Sequence, residues 1–343
     1  MEYLPLGDTG LYVSRLCLGT MTFGKNTTYK AIGSLEMNEV QEIVDRAFDV
    51  GINFFDTANL YAMGESETLL GKAIGKRREE AVIATKLYNP FTNDMNSLGT
   101  SRKAIMREVE SSLKRLGTDY IDLYQVHSWD STTPLEETLS ALDDLVKSGK
   151  VRYIGLSNFS GWQIAKAHGI SEAKGFHKFV SSQSYYSLVG REIEYEVLPA
   201  VRNLNMGVMV WSPLASGFLS GKYTGENVEQ GRRSHFSFPP VDLEQGDKIV
   251  EVLKDIASTH KATPAQIAIA WLLHQKGITS IITGVRRMDQ FEDNIASIKI
   301  KLSREELTQL NTVSQPGTPF MYMDFGLQRG QTLQDRVTQL KST

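Results

Sequence analysis

An acid, a phenol, an amine and an imidazole stand at or just beyond the ends of short apolar runs in this chain. Asp56 follows residues 52–55, with Tyr61 shortly after it; Lys86 follows residues 81–85, and His127 follows residues 121–126. A tyrosine with a reference pKa of about 10 is a poor acid at neutral pH, but an ammonium beside it stabilises the phenolate and brings proton transfer within reach. Lys86 is the candidate for that charge. Asp56 would hold the lysine through a buried ion pair, and His127 would donate to a substrate carbonyl oxygen and turn it toward Tyr61. Taken singly, each has an ordinary alternative: an aspartate capping a turn, a tyrosine packed on a loop, a solvated lysine, a histidine packed beside Trp129. Four such groups at corresponding positions point instead to one site that polarises a carbonyl for attack by hydride.

Groups so distant in sequence share a site only if the strands carrying them share an end. Strand-like runs alternate with amphipathic helical stretches from about Arg15 to Ser297, with no linker or shift of composition. The expected strands are 16–18, 52–55, 82–84, 121–126, 153–156, 179–183, 208–210 and 280–282, the number that closes a TIM-type (β/α)8 barrel, whose active site lies at the carboxyl ends of the strands. Helices are expected at 102–115 behind Ser101, at 135–147 with Pro134 in the first turn, and after Thr263-Pro264. The chain then reads as one domain: a β-hairpin over 1–14, turning at Gly7-Asp8-Thr9-Gly10 and plugging the barrel floor, a barrel over about 15–300, and a C-terminal tail over 301–343. The connection from Pro213 to Gly246, with Gly217, Gly221, Gly225, Arg232, Arg233, Phe236 and Phe238, is long enough to be a lid or belt. In the tail, 317–325 is aromatic and Met-rich, and 328–340 is weakly helical.

A net charge of -3 and a pI near 6.1 leave no electrostatic footprint for nucleic acid. No basic segment precedes an apolar core at the start, and no run approaches the roughly 18 apolar residues that span a bilayer. A cytoplasmic protein without membrane or nucleic-acid partners is expected, as a monomer or homo-oligomer acting on a small carbonyl or alcohol. The single cysteine, Cys17, and six scattered histidines offer no metal-ligand set.

The motifs at these strand ends resemble the aldo-keto reductase superfamily across nearly the whole chain. They are Leu18-Gly19-Thr20-Met21, Phe55-Asp56-Thr57-Ala58 with Tyr61 and Gly64-Glu65-Ser66-Glu67, Ala84-Thr85-Lys86, the run 119–127 ending in His127, the run 149–158 ending in Ser157-Asn158, and Trp211-Ser212-Pro213-Leu214 with Gly217, Leu219 and Lys222. The resemblance implies a catalytic tetrad in which Tyr61 is the proton donor, supported by Lys86, Asp56 and His127. It also accounts for the missing G-x-G-x-x-G fingerprint, because similar proteins lay an extended nicotinamide dinucleotide across the barrel mouth. The matching residues are Ser157, Asn158 and Gln183 for the carboxamide and Trp211 for stacking on the nicotinamide. Ser212, Leu214, Gly217 and Lys222 match the pyrophosphate region, and Thr20, Met21, Asp56, Pro213, Leu219, Gly284 and Val285 are further cofactor contacts.

At the adenosine end the chain departs from many members of that superfamily, which place lysine where Gly284 stands and arginine where Gln290 stands. Arg286, with Arg287 beside it, is the phosphate partner expected here, because guanidinium forks fit phosphate oxygens and a helix start adds donors. NADP(H) is therefore preferred, NAD(H) remaining possible, and Gln290 and Asn294, a helical turn apart, reach adenine from one face. For the substrate wall the expected residues are Phe23, Tyr88, Trp129 and Phe159, with Met21 and the tail residues Phe320, Tyr322 and Phe325, which favour an apolar or aromatic compound. The leading expectation is a reductase of aldehydes or ketones, or an alcohol dehydrogenase in reverse. Two alternatives stay open: a redox-sensing regulatory subunit similar to potassium-channel β subunits, and aldol cleavage with Lys86 as Schiff-base nucleophile.

Overall fold

A computed structural model describes residues 1–25, 35–89, 94–223, 233, 237–317 and 319–322. The strands close into a parallel barrel in the order β10-β3-β4-β5-β6-β7-β8-β9. Its members are β3 (Leu16–Gly19), β4 (Phe54–Asp56), β5 (Val82–Leu87), β6 (Ile121–Val126), β7 (Val151–Ser157), β8 (Ser181–Tyr185), β9 (Gly207–Trp211) and β10 (Ser280–Gly284). Around them, among the described residues, run α1 (Met37–Asp49), α2 (Glu65–Ile74), α3 (Arg102–Leu116), α4 (Leu135–Lys147), α5 (Gly161–Lys174), α6 (Val197–Asn203), α7 (Leu243–His260), α8 (Pro264–His274), α9 (Met288–Ala296) and α10 (Arg304–Val313). With helices outside and side chains inside, each strand is buried on both faces. Cys17, Phe54, Val82, Ala84, Leu123, Met209 and Ile282 pack one inner cluster, and the outer faces pack on the helices.

Before the barrel, β1 (Tyr3–Pro5) pairs antiparallel with β2 (Tyr12–Ser14). Leu6 and Val13 are fully buried and join the inner cluster, so this hairpin closes the end of the barrel opposite the strand carboxyl termini. Gly7 lies against the barrel with φ 65°, where a Cβ would stand 2.5 Å from the Val180 carbonyl oxygen.

Most expected elements are found, with shifts that have local causes. β4 starts at Phe54, because the Ile52 amide still bonds the Ala47 carbonyl at the exit of α1. β8 begins at Ser181 and runs on through Tyr185, in register with β9. Pro134 is the N-cap of α4, with extended ψ 124°, and lies outside the first turn. Thr263 and Pro264 do open α8 together: the threonine side chain accepts from the Gln266 amide and the proline takes the first turn. Gly246, expected in a loop, lies inside α7. Gly225, Arg232, Phe236, Phe325 and the expected helix 328–340 fall outside the described residues.

Candidate active site

The barrel delivers three of the four chemical groups directly. Asp56 shares the inward parity of Phe54, and Lys86 that of Val82 and Ala84, so both point into the barrel at its carboxyl end. His127 is the first residue beyond β6, its amide bonded to the Leu87 carbonyl. Tyr61 arrives on a tight turn, Tyr61–Gly64, in which Ala62, Met63 and Gly64 all take left-handed backbone at φ 47°, 54° and 84°. Non-glycine residues rarely occupy that region, at a cost of about 1–3 kcal/mol each, and strain of this kind gathers where geometry serves a site.

Lys86 is fully buried and its ammonium spends three hydrogen bonds: to Asp56 Oδ1 at 2.6 Å, to the Thr57 carbonyl oxygen at 2.7 Å and to the Tyr61 hydroxyl at 3.2 Å. Burial pulls its pKa down, but Asp56 and Tyr61 outweigh burial and leave it above the usual lysine value. The lysine is thus a charged ammonium, which argues against a nucleophilic amine. The Tyr61 ring meets the His127 ring edge-on at 6.0 Å between centroids. Burial first, and the Lys86 charge second, lower the His127 imidazole from 6.5 to about 3. Its Nδ1 is buried with no partner among the described residues, which leaves Nε2 on the cleft side of a neutral ring.

Over these groups opens a cleft of about 710 Å³, and it gathers most of the residues expected to hold a cofactor. Thr20, Met21, Ser157, Asn158, Gln183, Trp211, Ser212, Pro213, Leu214, Gly217, Lys222, Gly284, Arg286, Gln290 and Asn294 all line it, with Asp56, Tyr61 and His127 at its base. Leu219 and Val285 do not: both are buried in the core behind it. Three features suit a dinucleotide. The Ser157 hydroxyl is buried without a partner among the described residues and borders the cleft. Beyond β9 Ser212 and Lys222 line the cleft with a hydroxyl and an ammonium that suit an anion, while the left-handed turn through Ala215, Ser216 and Gly217 ties its own amides back to Ser212 and Leu214. At the far end Arg286 stands at the start of α9, its amide bonded to Gln290 Oε1 at 3.0 Å, while Arg287 grips Asp289 through two contacts of 2.9 Å.

Two assigned amides also do internal work. Asn158 donates to the His127 carbonyl oxygen and accepts from Trp211 Nε1, both at 3.0 Å, so it ties the histidine loop to the indole. Gln183 donates to Asp56 Oδ2 at 2.7 Å. Trp211 itself lies between Tyr185, 5.0 Å away, and Phe238, stacked at 5.9 Å.

Of the expected substrate wall, Met21 lines the cleft, whereas the aromatic members that the structure describes do not. Phe23 is fully buried in the shell between barrel and helices, and Phe159 is buried beside Trp129. Trp129 packs its ring on Phe159 and Trp162, and Tyr88 lies outside the cleft lining. Trp129 and Phe159 meet each other's rings, a preference for aromatic faces that residue type alone does not aim. In the tail, Tyr322 stacks on Tyr195 and Phe320 is exposed, neither at the cleft. Leu60 and Asn89 join Met21 in bordering the cleft with Tyr61 and His127, and Phe238 borders it with Trp211. The sequence reading also missed Gln125, which donates to Asp56 Oδ2 at 3.2 Å; its signal is a polar residue at an inward position, in phase with Leu123. Among the described residues no three His, Cys, Asp or Glu side chains gather as a metal site, and no helix is long and apolar enough to cross a membrane.

Comparison with known proteins agrees with this architecture. The model of the Aldo/keto reductase family matches residues 15–315. The uncharacterized oxidoreductase YrpG of Bacillus subtilis is 42% identical over 326 residues, covering 91% of this chain and 96% of its own. A putative aryl-alcohol dehydrogenase of Schizosaccharomyces pombe is 36% identical over 333 residues, covering 90% and 94%. The versiconal hemiacetal acetate reductase of Aspergillus parasiticus is 34% identical over 335 residues, covering 90% and 96%. With a family match across the barrel and relatives of this similarity over nearly full length, the chain belongs to the aldo/keto reductase family, whose members are oxidoreductases that generally use nicotinamide cofactors.

Proposed function

We propose that this protein reduces an aldehyde or ketone to the alcohol with a nicotinamide dinucleotide, NADPH in preference to NADH, and with Tyr61 as proton donor. The observation that carries this reading is the Lys86 ammonium, held between Asp56 at 2.6 Å and the Tyr61 hydroxyl at 3.2 Å at the base of a large cleft. The ammonium stabilises the phenolate left when Tyr61 gives up its proton, and Asp56 keeps the charge in place. His127, neutral across the physiological range, donates from Nε2 to the carbonyl oxygen and turns it toward the Tyr61 hydroxyl. The dinucleotide, when bound, supplies the hydride. Ser157 and Gln183 meet its carboxamide, Ser212 and Lys222 meet the pyrophosphate, and Arg286 meets the 2′-phosphate, since a guanidinium fork suits phosphate. The relatives named as an aryl-alcohol dehydrogenase and a hemiacetal acetate reductase support a carbonyl–alcohol pair as the substrate class.

The test is Tyr61→Phe, which removes the hydroxyl and little else. Consumption of NADPH with a panel of aromatic and aliphatic aldehydes should fall by about 10²–10⁴-fold in kcat, while the Kd for NADPH, read by protein fluorescence, stays within about threefold. Turnover near the wild-type level in a folded variant would remove Tyr61 from the mechanism, and equal affinity for NADH would remove the cofactor preference.

A further inference from the structure

The two oxygens of Asp56 have different neighbours. Oδ1 accepts from Lys86 at 2.6 Å, whereas Oδ2 accepts from Gln183 Nε2 at 2.7 Å and from Gln125 Nε2 at 3.2 Å. Gln125 Oε1 in turn faces Gln183 Nε2 at 3.5 Å, and all three side chains are buried. A carboxylate only accepts hydrogen bonds, so both glutamines must turn their NH2 ends toward Oδ2. That choice consumes the donor end of Gln183. Its oxygen takes no hydrogen bond from the described residues and is left for the cleft that Gln183 lines, beside Ser157, its register partner on β7, whose buried hydroxyl is also unpartnered.

We propose that Asp56 has a second task besides holding Lys86: through Oδ2 it sets the hydrogen-bond polarity of the cleft wall, so that Gln183 presents an acceptor and the site selects a ring substituent bearing N–H, with Gln125 as the positioning residue that completes the clamp. This rests on the dinucleotide reading above and deepens it. One carboxylate thereby couples the proton-donating group to recognition of the carboxamide, because whatever changes the state of Asp56 changes what Gln183 shows to the ligand.

The polarity is reversible by design. In Asp56→Asn the Lys86 ammonium still demands an oxygen, so the new NH2 falls on the side of Gln125 and Gln183. Each glutamine must then turn an oxygen to it, and Gln183 shows its own NH2 to the cleft. The experiment is equilibrium binding to the full chain of NADP⁺, of its 3-acetylpyridine analogue, in which a methyl ketone replaces the carboxamide and no N–H remains, and of 2′-phospho-ADP-ribose, which lacks the ring. Wild type should favour the carboxamide by about tenfold. Asp56→Asn should reverse that order, and Gln183→Met should bring the two within about threefold, with 2′-phospho-ADP-ribose binding alike throughout. Should Asp56→Asn lose 2′-phospho-ADP-ribose binding through misfolding, the same comparison in Gln125→Met, which opens the clamp on Oδ2 and should narrow the preference for the carboxamide, decides in its place, an unchanged preference overturning the proposal. The proposal is overturned if wild type binds carboxamide and ketone equally, or if either folded variant keeps the wild-type order. Failure of wild type to bind any of the three ligands would overturn the dinucleotide reading, and this inference with it.

Discussion

At the scale of single residues the site is a contest between burial and charge. Removing one member of a buried ion pair strands the other at a cost of about 3–5 kcal/mol, and Lys86 at full burial is tolerated because three oxygens face its three protons. His127 settles the same contest the other way, by staying neutral with a folded-state pKa of about 3 against 6.5 unperturbed. Between those values the unfolded chain binds a proton that the native state refuses, so this group's stabilisation is complete above 6.5 and is lost as pH falls toward 3. We expect the ring protons of His127 in an NMR titration to hold their chemical shifts through the neutral range; a titration near 6.5 would contradict its burial beside Lys86. Asp56, Lys86 and His127 were legible in the sequence because each closes an apolar run, and Tyr61 because it follows shortly after one of them. Gln125 was not, nor were the internal bonds made by Thr57, Asn158 and Gln183, because hydrogen-bond partners across a barrel have no fixed spacing along the chain.

Elements decide which of these residues can meet. The two-residue period of a strand assigns Asp56, Lys86 and Gln125 to the barrel interior, and this much follows from parity once the strands are known. Gly155 is a case where the strand must yield space. A Cβ there would stand 2.6 Å from Ser181 Oγ and 3.2 Å from Gln125 Cγ. Gly155→Ala should therefore push Gln125 off Asp56, lowering stability by about 1–3 kcal/mol in urea denaturation and narrowing the preference for the carboxamide over the ketone analogue; a neutral outcome on both would show that Ser181 alone gives way. The left-handed run at Ala62 and Met63 carries no comparable signal, since neither residue favours that backbone. Its own backbone bonds, from the Tyr61 amide to the Ala58 carbonyl and from the Met63 amide to the Leu60 carbonyl, and the bond from Lys86 to the Tyr61 hydroxyl hold it.

For the molecule as a whole, the ends of the barrel are divided between stability and chemistry. The hairpin closes one end through Leu6 and Val13, and the cleft opens at the other. Leu6→Ala should cost about 2–5 kcal/mol of stability by leaving a cavity in the inner cluster, with the Kd for NADPH unchanged below the unfolding temperature; a shift in that Kd would show that the floor and mouth are mechanically coupled. The barrel, the hairpin and the convergence of Asp56, Tyr61, Lys86 and His127 could be read from sequence because they follow from alternation and from polar residues at strand ends, which are local and periodic. The aromatic wall could not: Phe23, Tyr88, Trp129 and Phe159 are chemically suited to a substrate, yet none lines the cleft, Phe23 and Phe159 being buried and Trp129 packed on Phe159. Periodicity determines which face of a strand or helix a residue occupies, whereas the aim of a loop side chain, and the direction in which a buried amide turns its oxygen, depend on groups brought together only by the closed barrel.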